Sequence, residues 1–110
     1  RVLALPDSFT STEQASMFDY FDNCCAVCGR PACFDSNYIL AVDHWIPLSA
    51  NDCPGTIATN MIPLCHGISG CNNQKHDKLP YEWLVSKYGA EQAEEIMQRI
   101  QGYFEWVQQL

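Results

Sequence analysis

The chain has 110 residues, of which 47% are apolar and 17% charged, and this composition excludes a wholly disordered protein. Thirteen acidic residues against six basic ones give a net charge of -7, which argues against a polyanionic partner. No apolar run approaches the roughly 18 residues of a membrane span, and the first residues carry neither a Met nor a signal pattern, so we expect a soluble chain.

The first predicted elements are a helix and a strand. Thr10 precedes Glu13 by three residues, the capping-box spacing, and this predicts a helix over about 11–22. Its predicted apolar face consists of Ala15, Phe18 and Phe21. The short apolar run at 37–42 suits a strand, and the turn-forming residues at 49–55 predict a loop after it.

The second half of the chain is predicted to be helical. A short helix starts at Cys71, and a further helix starts near Pro80 and ends at Gly89. Beyond Gly89, apolar residues recur every three or four positions, and we interpret this stripe as core packing. The stripe consists of Ala93, Ile96, Met97, Ile100, Tyr103, Phe104, Val107 and Leu110. We also expect Trp45 and Trp83 in the core, and one α+β domain over 1–110 with a helical part at about 80–110.

The chain has seven cysteines, an odd number, and five of them lie in two clusters at 23–29 and 64–72. Four of them form two pairs, one as Cys-x-x-Cys and one separated by five residues, and paired loops are the usual way to bind a tetrahedral zinc. The predicted ligands are Cys25, Cys28, Cys65 and Cys71. Cys24 in place of Cys25, and His66 in place of Cys65, remain alternatives. So do reduced buried thiols without metal and a disulfide-stabilised extracellular domain.

Asp43 and His44 are adjacent at the end of the predicted strand. Neighbours in a strand point to opposite faces, so both can serve one site only if the chain bends there, and Pro47 permits such a bend. By itself an Asp-His pair is weak evidence, because a single His is more often structural than catalytic.

The order of the motifs resembles the HNH family of ββα-metal nucleases that carry a structural zinc. The matching motifs are Cys-x-x-Cys, Asp-His-x-x-Pro, Asn, Leu-Cys and Cys-Asn-x-x-Lys, over about 24–76. Thr12-Glu13 and Glu82-Trp83-Leu84 look like the flanks of small phage and bacterial members. The second cysteine pair is wider than usual, and Asn72 stands where many members have His. The resemblance implies a zinc-stapled ββα-metal core with an N-terminal helix and C-terminal helices.

The resemblance also implies roles for four residues. His44 matches the general base, while Asp43 and Asn72 match the ligands of a catalytic Mg2+ or Mn2+. Asn60 matches the central Asn, which holds the loop and orients His44. The implied activity is hydrolysis of double-stranded DNA to 5′-phosphate and 3′-hydroxyl ends. The implied location is the cytoplasm of a bacterium or of a phage-infected cell.

Three basic residues and one further His are additional candidates for roles at this site. Lys75, from the Cys-Asn-x-x-Lys motif, is predicted to contact a phosphate, with Arg30 and Lys78 as further candidates, and a solvated surface lysine is the alternative. His76 follows Asn72 by four residues, so on a helix both could bind the same ion.

The acidic charge limits the DNA affinity that a nuclease of this composition can have. Six basic residues allow few phosphate contacts, so we expect weak intrinsic binding and a dimer or protein partner that supplies the rest. No membrane partner is expected. The alternative function is a zinc-stabilised nucleic-acid or protein binding module without catalytic activity.

Overall fold

A two-stranded sheet and helices make up the described part of the chain, which in this computed structural model is residues 4–32, 39–67 and 69–110. The elements are α1 (Ser11–Tyr20), β1 (Ile39–His44), a 3-10 turn (Ala58–Asn60), β2 (Met61–His66), α2 (Cys71–Lys75), α3 (Pro80–Tyr88) and α4 (Ala90–Val107). The predicted α+β class is confirmed. None of the helices described combines the length and apolar character that crossing a membrane requires.

Helix α1 begins at the predicted capping box. The Glu13 amide donates to Thr10 Oγ1 at 3.1 Å, and the Thr10 amide donates to Glu13 Oε1 at 2.9 Å. The helix ends earlier than the predicted residue 22, because Asp22 and Asn23 adopt positive φ angles of 54° and 55°. The predicted apolar face is also wrong in part, since Met17 is the buried residue while Ala15 is exposed.

Strands β1 and β2 pair antiparallel, with Asp43 opposite Ile62 and His44 opposite Met61. The strand β1 continues two residues past the predicted end, to His44, and the predicted start at 37–38 lies outside the described residues. No strand was predicted for β2. Its first five residues are all buried and include Pro63, so it lacks the alternation and the composition that identify a strand in sequence.

Helices α3 and α4 confirm the C-terminal prediction. Pro80 lies in the first turn of α3, and Gly89 ends that helix with a φ of 88°. The predicted stripe on α4 is buried, except for the half-buried Met97 and for Leu110 beyond the helix end. Trp45 and Trp83 are buried, as expected. Because α4 packs against α3, α1 and the 3-10 turn, it covers the loop that leads into β2.

Candidate functional site

The four predicted zinc ligands come together. The sulfur atoms of Cys25, Cys28, Cys65 and Cys71 all lie within 4.8 Å of one another. The Sγ atoms of Cys28 and Cys65 are 3.6 Å apart. A tetrahedral zinc with bonds of about 2.3 Å needs sulfurs about 3.8 Å apart, so this cluster could hold a metal ion such as zinc.

Local backbone geometry explains how the second pair meets. The Cys71 amide donates to Cys65 Sγ at 3.3 Å, across the turn between β2 and α2. Gly70 fits this turn because a Cβ there would lie 2.6 Å from the Cys65 carbonyl oxygen. The helix α2 therefore begins at a predicted ligand, and the hydrogen bond to Cys65 Sγ holds its first turn.

The protonation of the thiols also favours a bound cation. A hydrogen bond from Cys71 lowers the pKa of Cys25 to about 4, whereas that same bond and burial raise the pKa of Cys71. Burial, together with the charge of Cys25, raises the pKa of Cys28. Thiols this close cannot all ionise without a positive charge among them, which is what a metal ion supplies.

The alternative zinc ligands lie elsewhere. Cys24 Sγ donates to the Asp22 carbonyl oxygen at 3.3 Å, and His66 is exposed at the end of β2, so neither belongs to the cluster. Every cysteine of the described ranges is a free thiol, which does not fit the disulfide-stabilised alternative. Cys33 lies outside those ranges.

A second site is an open cleft of about 400 Å³ between the end of β1 and the start of α2. Asp43, His44 and Asn72 all line it, although Asn72 belongs to a different element from the other two. The remaining lining residues are Pro47, Leu48, Ser49, His76 and Asp77. The structure thus brings the predicted base and both predicted cation ligands to one surface.

The carboxylate of Asp43 suits a cation ligand. Its Oδ2 atom is buried and accepts no hydrogen bond from the described residues. Burial raises the pKa of Asp43, against the opposing effects of the Lys75 charge and a hydrogen bond from Asn72. A carboxylate and an amide oxygen are the hard donors that Mg2+ and Mn2+ prefer, so the residues present fit the predicted catalytic ion.

The predicted phosphate contact by Lys75 is wrong. Its side chain is 0% exposed, and Nζ donates to the His44 carbonyl oxygen at 2.9 Å and lies 3.7 Å from Asp43 Oδ2. Lys75 therefore lies beneath the cleft, where it binds the backbone at the end of β1 and faces the Asp43 carboxylate. Arg30 and Lys78 do not line the cleft either.

Asn60 holds the loop, as the family resemblance implies. The Ile46 amide donates to Asn60 Oδ1 at 2.8 Å, and Asn60 Nδ2 donates to the carbonyl oxygens of Ile46 and Gly55 at 3.1 and 3.0 Å. The expectation that Asn60 orients His44 needs correction, because these side-chain bonds go to the loop backbone and not to the imidazole.

The described partner of the His44 ring is Thr56, a residue that sequence reasoning missed. His44 Nε2 and Thr56 Oγ1 are 2.8 Å apart. The only local signal is the Pro54-Gly55 pair, which marks a turn but does not show which element the next residue contacts.

The argument that His76 shares a helical face with Asn72 is also wrong. The helix α2 ends at Lys75, and His76 follows with a φ of 50°. Its side chain is 77% exposed, with Nδ1 3.1 Å from Asp77 Oδ1. His76 is thus a rim residue of the cleft rather than a neighbour of Asn72 on one helical face.

No protein-family model matches the sequence, and comparisons with curated proteins and with solved structures find no significant similarity. The function is therefore inferred from the residues and their geometry.

Proposed function

We propose that this chain is a divalent-metal-dependent HNH endonuclease that hydrolyses DNA phosphodiester bonds, with β1, β2 and α2 as its ββα-metal core. The observation that carries the proposal is the meeting of Asp43, His44 and Asn72 on one open cleft.

His44 is the general base. The neutral form of an imidazole side chain can accept a proton, which makes His a common general base in enzymes. His44 is half-buried and lines the cleft, where it can take the proton of a water that attacks the scissile phosphorus. The carbonyl oxygen of His44 accepts from Lys75, which keeps this end of β1 in place.

Asp43 and Asn72 hold the Mg2+ or Mn2+ ion. When bound, the cation supplies positive charge to the crowded phosphate and to the departing 3′ oxygen. The side chain of Asp43 is kept in position by Lys75 and Asn72, and Asn72 is kept in position by the start of α2.

Zinc at the four cysteines has a structural role in this proposal. Four protein ligands leave no open position for substrate, which is the arrangement of structural rather than catalytic zinc. Cys71 is both a ligand and the first residue of α2, so the metal fixes the backbone next to Asn72.

The substrate is DNA, and its binding by this chain alone is weak. The described walls of the cleft carry no Lys or Arg, and the chain has a net charge of -7. Few phosphates can then be neutralised, so the intrinsic affinity is low. A dimer or a basic protein partner supplies the remaining affinity.

The lack of basic residues in the described cleft walls also favours a second candidate, a zinc-stabilised binding module without catalytic activity. This candidate keeps zinc and the fold but does not cleave DNA. Both candidates therefore make the same prediction about zinc, and only a cleavage assay separates them.

The deciding experiment is cleavage of supercoiled plasmid with Mg2+, with Mn2+ and with no added cation. The proteins are the wild type, His44→Ala, Asn72→Ala and the matched control Asn73→Ala, all checked for equal zinc content. Asn73 is the adjacent Asn on α2, but it is exposed and its Oδ1 accepts from the Gly67 amide.

We expect cation-dependent nicking by the wild type and by Asn73→Ala. His44→Ala should lower the rate by about 100-fold or more, the usual contribution of a general base. Asn72→Ala should need a higher cation concentration, by about tenfold. Equal cleavage by His44→Ala refutes the assigned base, and an inactive wild type with full zinc favours the binding module.

A further inference from the structure

The His44 ring has a hydroxyl partner outside the residues that the family resemblance assigns. We propose that Thr56 is a positioning residue that holds the His44 ring in one orientation and one tautomer, with Nδ1 as the basic atom. This inference rests on the proposed function, because it concerns the base of that same site. Its physical basis is the 2.8 Å contact between His44 Nε2 and Thr56 Oγ1.

The contact with Thr56 occupies one ring nitrogen and so leaves the other as the atom that can act as the base. A neutral imidazole carries one proton, on either Nε2 or Nδ1, and the other nitrogen is the acceptor. Because Nε2 is engaged by Thr56, the nitrogen left to accept a proton is Nδ1, for which no partner is found in the described ranges. An unprotonated Nδ1 requires the proton on Nε2, which then donates to Thr56 Oγ1.

The same contact serves the ring after it has accepted a proton. In the imidazolium both nitrogens are donors, so Nε2 continues to donate to Thr56 Oγ1 while Nδ1 carries the new proton. The ring does not need to turn between the two states. A hydroxyl that accepts in both states therefore keeps Nδ1 aimed at the same place throughout the reaction.

Thr56 is itself fixed by the N-terminal segment of the chain. The Thr56 amide donates to the Pro6 carbonyl oxygen at 2.8 Å. The Ser8 and Phe9 amides donate to the Thr56 carbonyl oxygen at 2.9 and 3.1 Å. Both backbone groups of Thr56 are thus held by residues that precede α1, at a distance in sequence from the motif core.

Gly55 makes this contact possible. It has a φ of 102°, and a Cβ at this position would lie 2.4 Å from the Pro6 carbonyl oxygen. Any side chain at position 55 would therefore separate the N-terminal segment from the loop and would also strain the backbone. Asn60 donates to the Gly55 carbonyl oxygen at 3.0 Å, so the loop is anchored on both sides of Thr56.

The first test is the tautomer of His44 in the wild-type protein. Nitrogen-15 NMR of the histidine rings, with His44 assigned by comparison with His44→Ala, distinguishes a protonated Nε2 from a protonated Nδ1. The spectra are recorded at a pH at which the nitrogen-15 shifts themselves show that the His44 ring is neutral. We expect the proton on Nε2. A proton on Nδ1 overturns the proposal, whether or not the protein cleaves DNA.

The second test compares Thr56→Val, which keeps the shape but removes the hydroxyl, with Thr56→Ser, which keeps the hydroxyl. Thr59→Val is the matched control, because Thr59 lies nearby in the 3-10 turn, whereas the described partner of the His44 ring is Thr56. We expect Thr56→Val to shift the ring to a mixture of tautomers and to lower kcat by about 10- to 100-fold with little change in KM. Thr56→Ser and Thr59→Val should keep both the tautomer and the rate.

In this comparison, three results overturn the proposal: wild-type kcat in Thr56→Val, an unchanged tautomer in Thr56→Val, or a loss of kcat in Thr56→Ser as large as in Thr56→Val. If Thr56→Val does not fold, the proposal is still tested by the tautomer of the wild type and by whether Thr56→Ser retains the wild-type rate. An inactive wild type refutes the proposed function instead, and the NMR comparison of the four proteins then tests the positioning role alone.

Discussion

Replacing Asn60 with alanine should destabilise the protein strongly, because this side chain joins the two sides of a buried loop. It is 1% exposed. Its amide exchanges hydrogen bonds with both backbone groups of Ile46 and donates to the carbonyl oxygen of Gly55, at 2.8, 3.1 and 3.0 Å. Alanine removes these three bonds, together with a longer one from Asn60 Nδ2 to Cys53 Sγ at 3.7 Å, and leaves their partners without the side chain.

The magnitude follows from those three bonds. Each hydrogen bond contributes about 1 kcal/mol to the free energy of unfolding, so their loss costs about 3 kcal/mol. The total for a domain of this kind is about 5–15 kcal/mol, so the change is a large fraction of the stability. Cleavage should also fall, because the loop that contains Thr56 is no longer anchored.

The assay is urea unfolding of zinc-loaded protein, followed by tryptophan fluorescence, with Asn73→Ala as the control. Asn73 is exposed and accepts one hydrogen bond from Gly67, so its loss should cost about 1 kcal/mol or less. The dependence of the unfolding free energy on urea should stay the same in all three proteins. A loss below about 1 kcal/mol in Asn60→Ala would refute the reasoning, because it would show that the three bonds are not made.

Three further predictions concern other buried groups. Cys71→Ser should lose zinc and unfold more easily, whereas Cys24→Ser should keep both zinc content and stability; equal zinc in the two would contradict the assigned cluster. Lys75→Met should lower the free energy of unfolding in urea by about 3 kcal/mol or more, because it leaves Asp43 buried without its counter-charge. The same substitution should lower it by less when Asp43 is already Asn. An equal loss in the two backgrounds would show that the two residues are not coupled. Tyr103→Phe should leave the free energy of unfolding unchanged or raise it by about 1 kcal/mol, because the buried Tyr103 hydroxyl has no hydrogen-bond partner in the described ranges. Burial also raises the pKa of Tyr103 to about 12. A decrease of about 1 kcal/mol in the free energy of unfolding would mean that the hydroxyl has a partner.

The elements that sequence reasoning predicted well are those whose signals are local. The capping box of α1 and the Pro80 and Gly89 boundaries of α3 act within one turn of the helix that they start or end. The apolar stripe on α4 recurs over five turns, so the sequence identifies the buried face of this helix without knowledge of the elements that pack on it. The predicted cysteine set is also confirmed as a cluster, although the spacing alone left Cys24 and His66 as alternatives that only the structure excluded.

Some boundaries could not be predicted because tertiary contacts outweigh local preference there. The strand β2 is buried on both sides and contains Pro63, so neither alternation nor composition distinguishes it from a loop. The helix α2 ends before His76 because the chain turns to positive φ there, which the spacing from Asn72 does not reveal.

The sequence by itself determined the residue types available for the proposed chemistry: paired cysteines, an Asp-His pair and an Asn beside a cysteine. Only the tertiary structure decided how they are used. It buried Lys75 beneath Asp43 instead of exposing it to phosphate, and it placed Thr56 against the His44 ring. The physical reason is that both contacts join residues from separate parts of the chain, and the burial that determines their effect exists only once those parts have packed together.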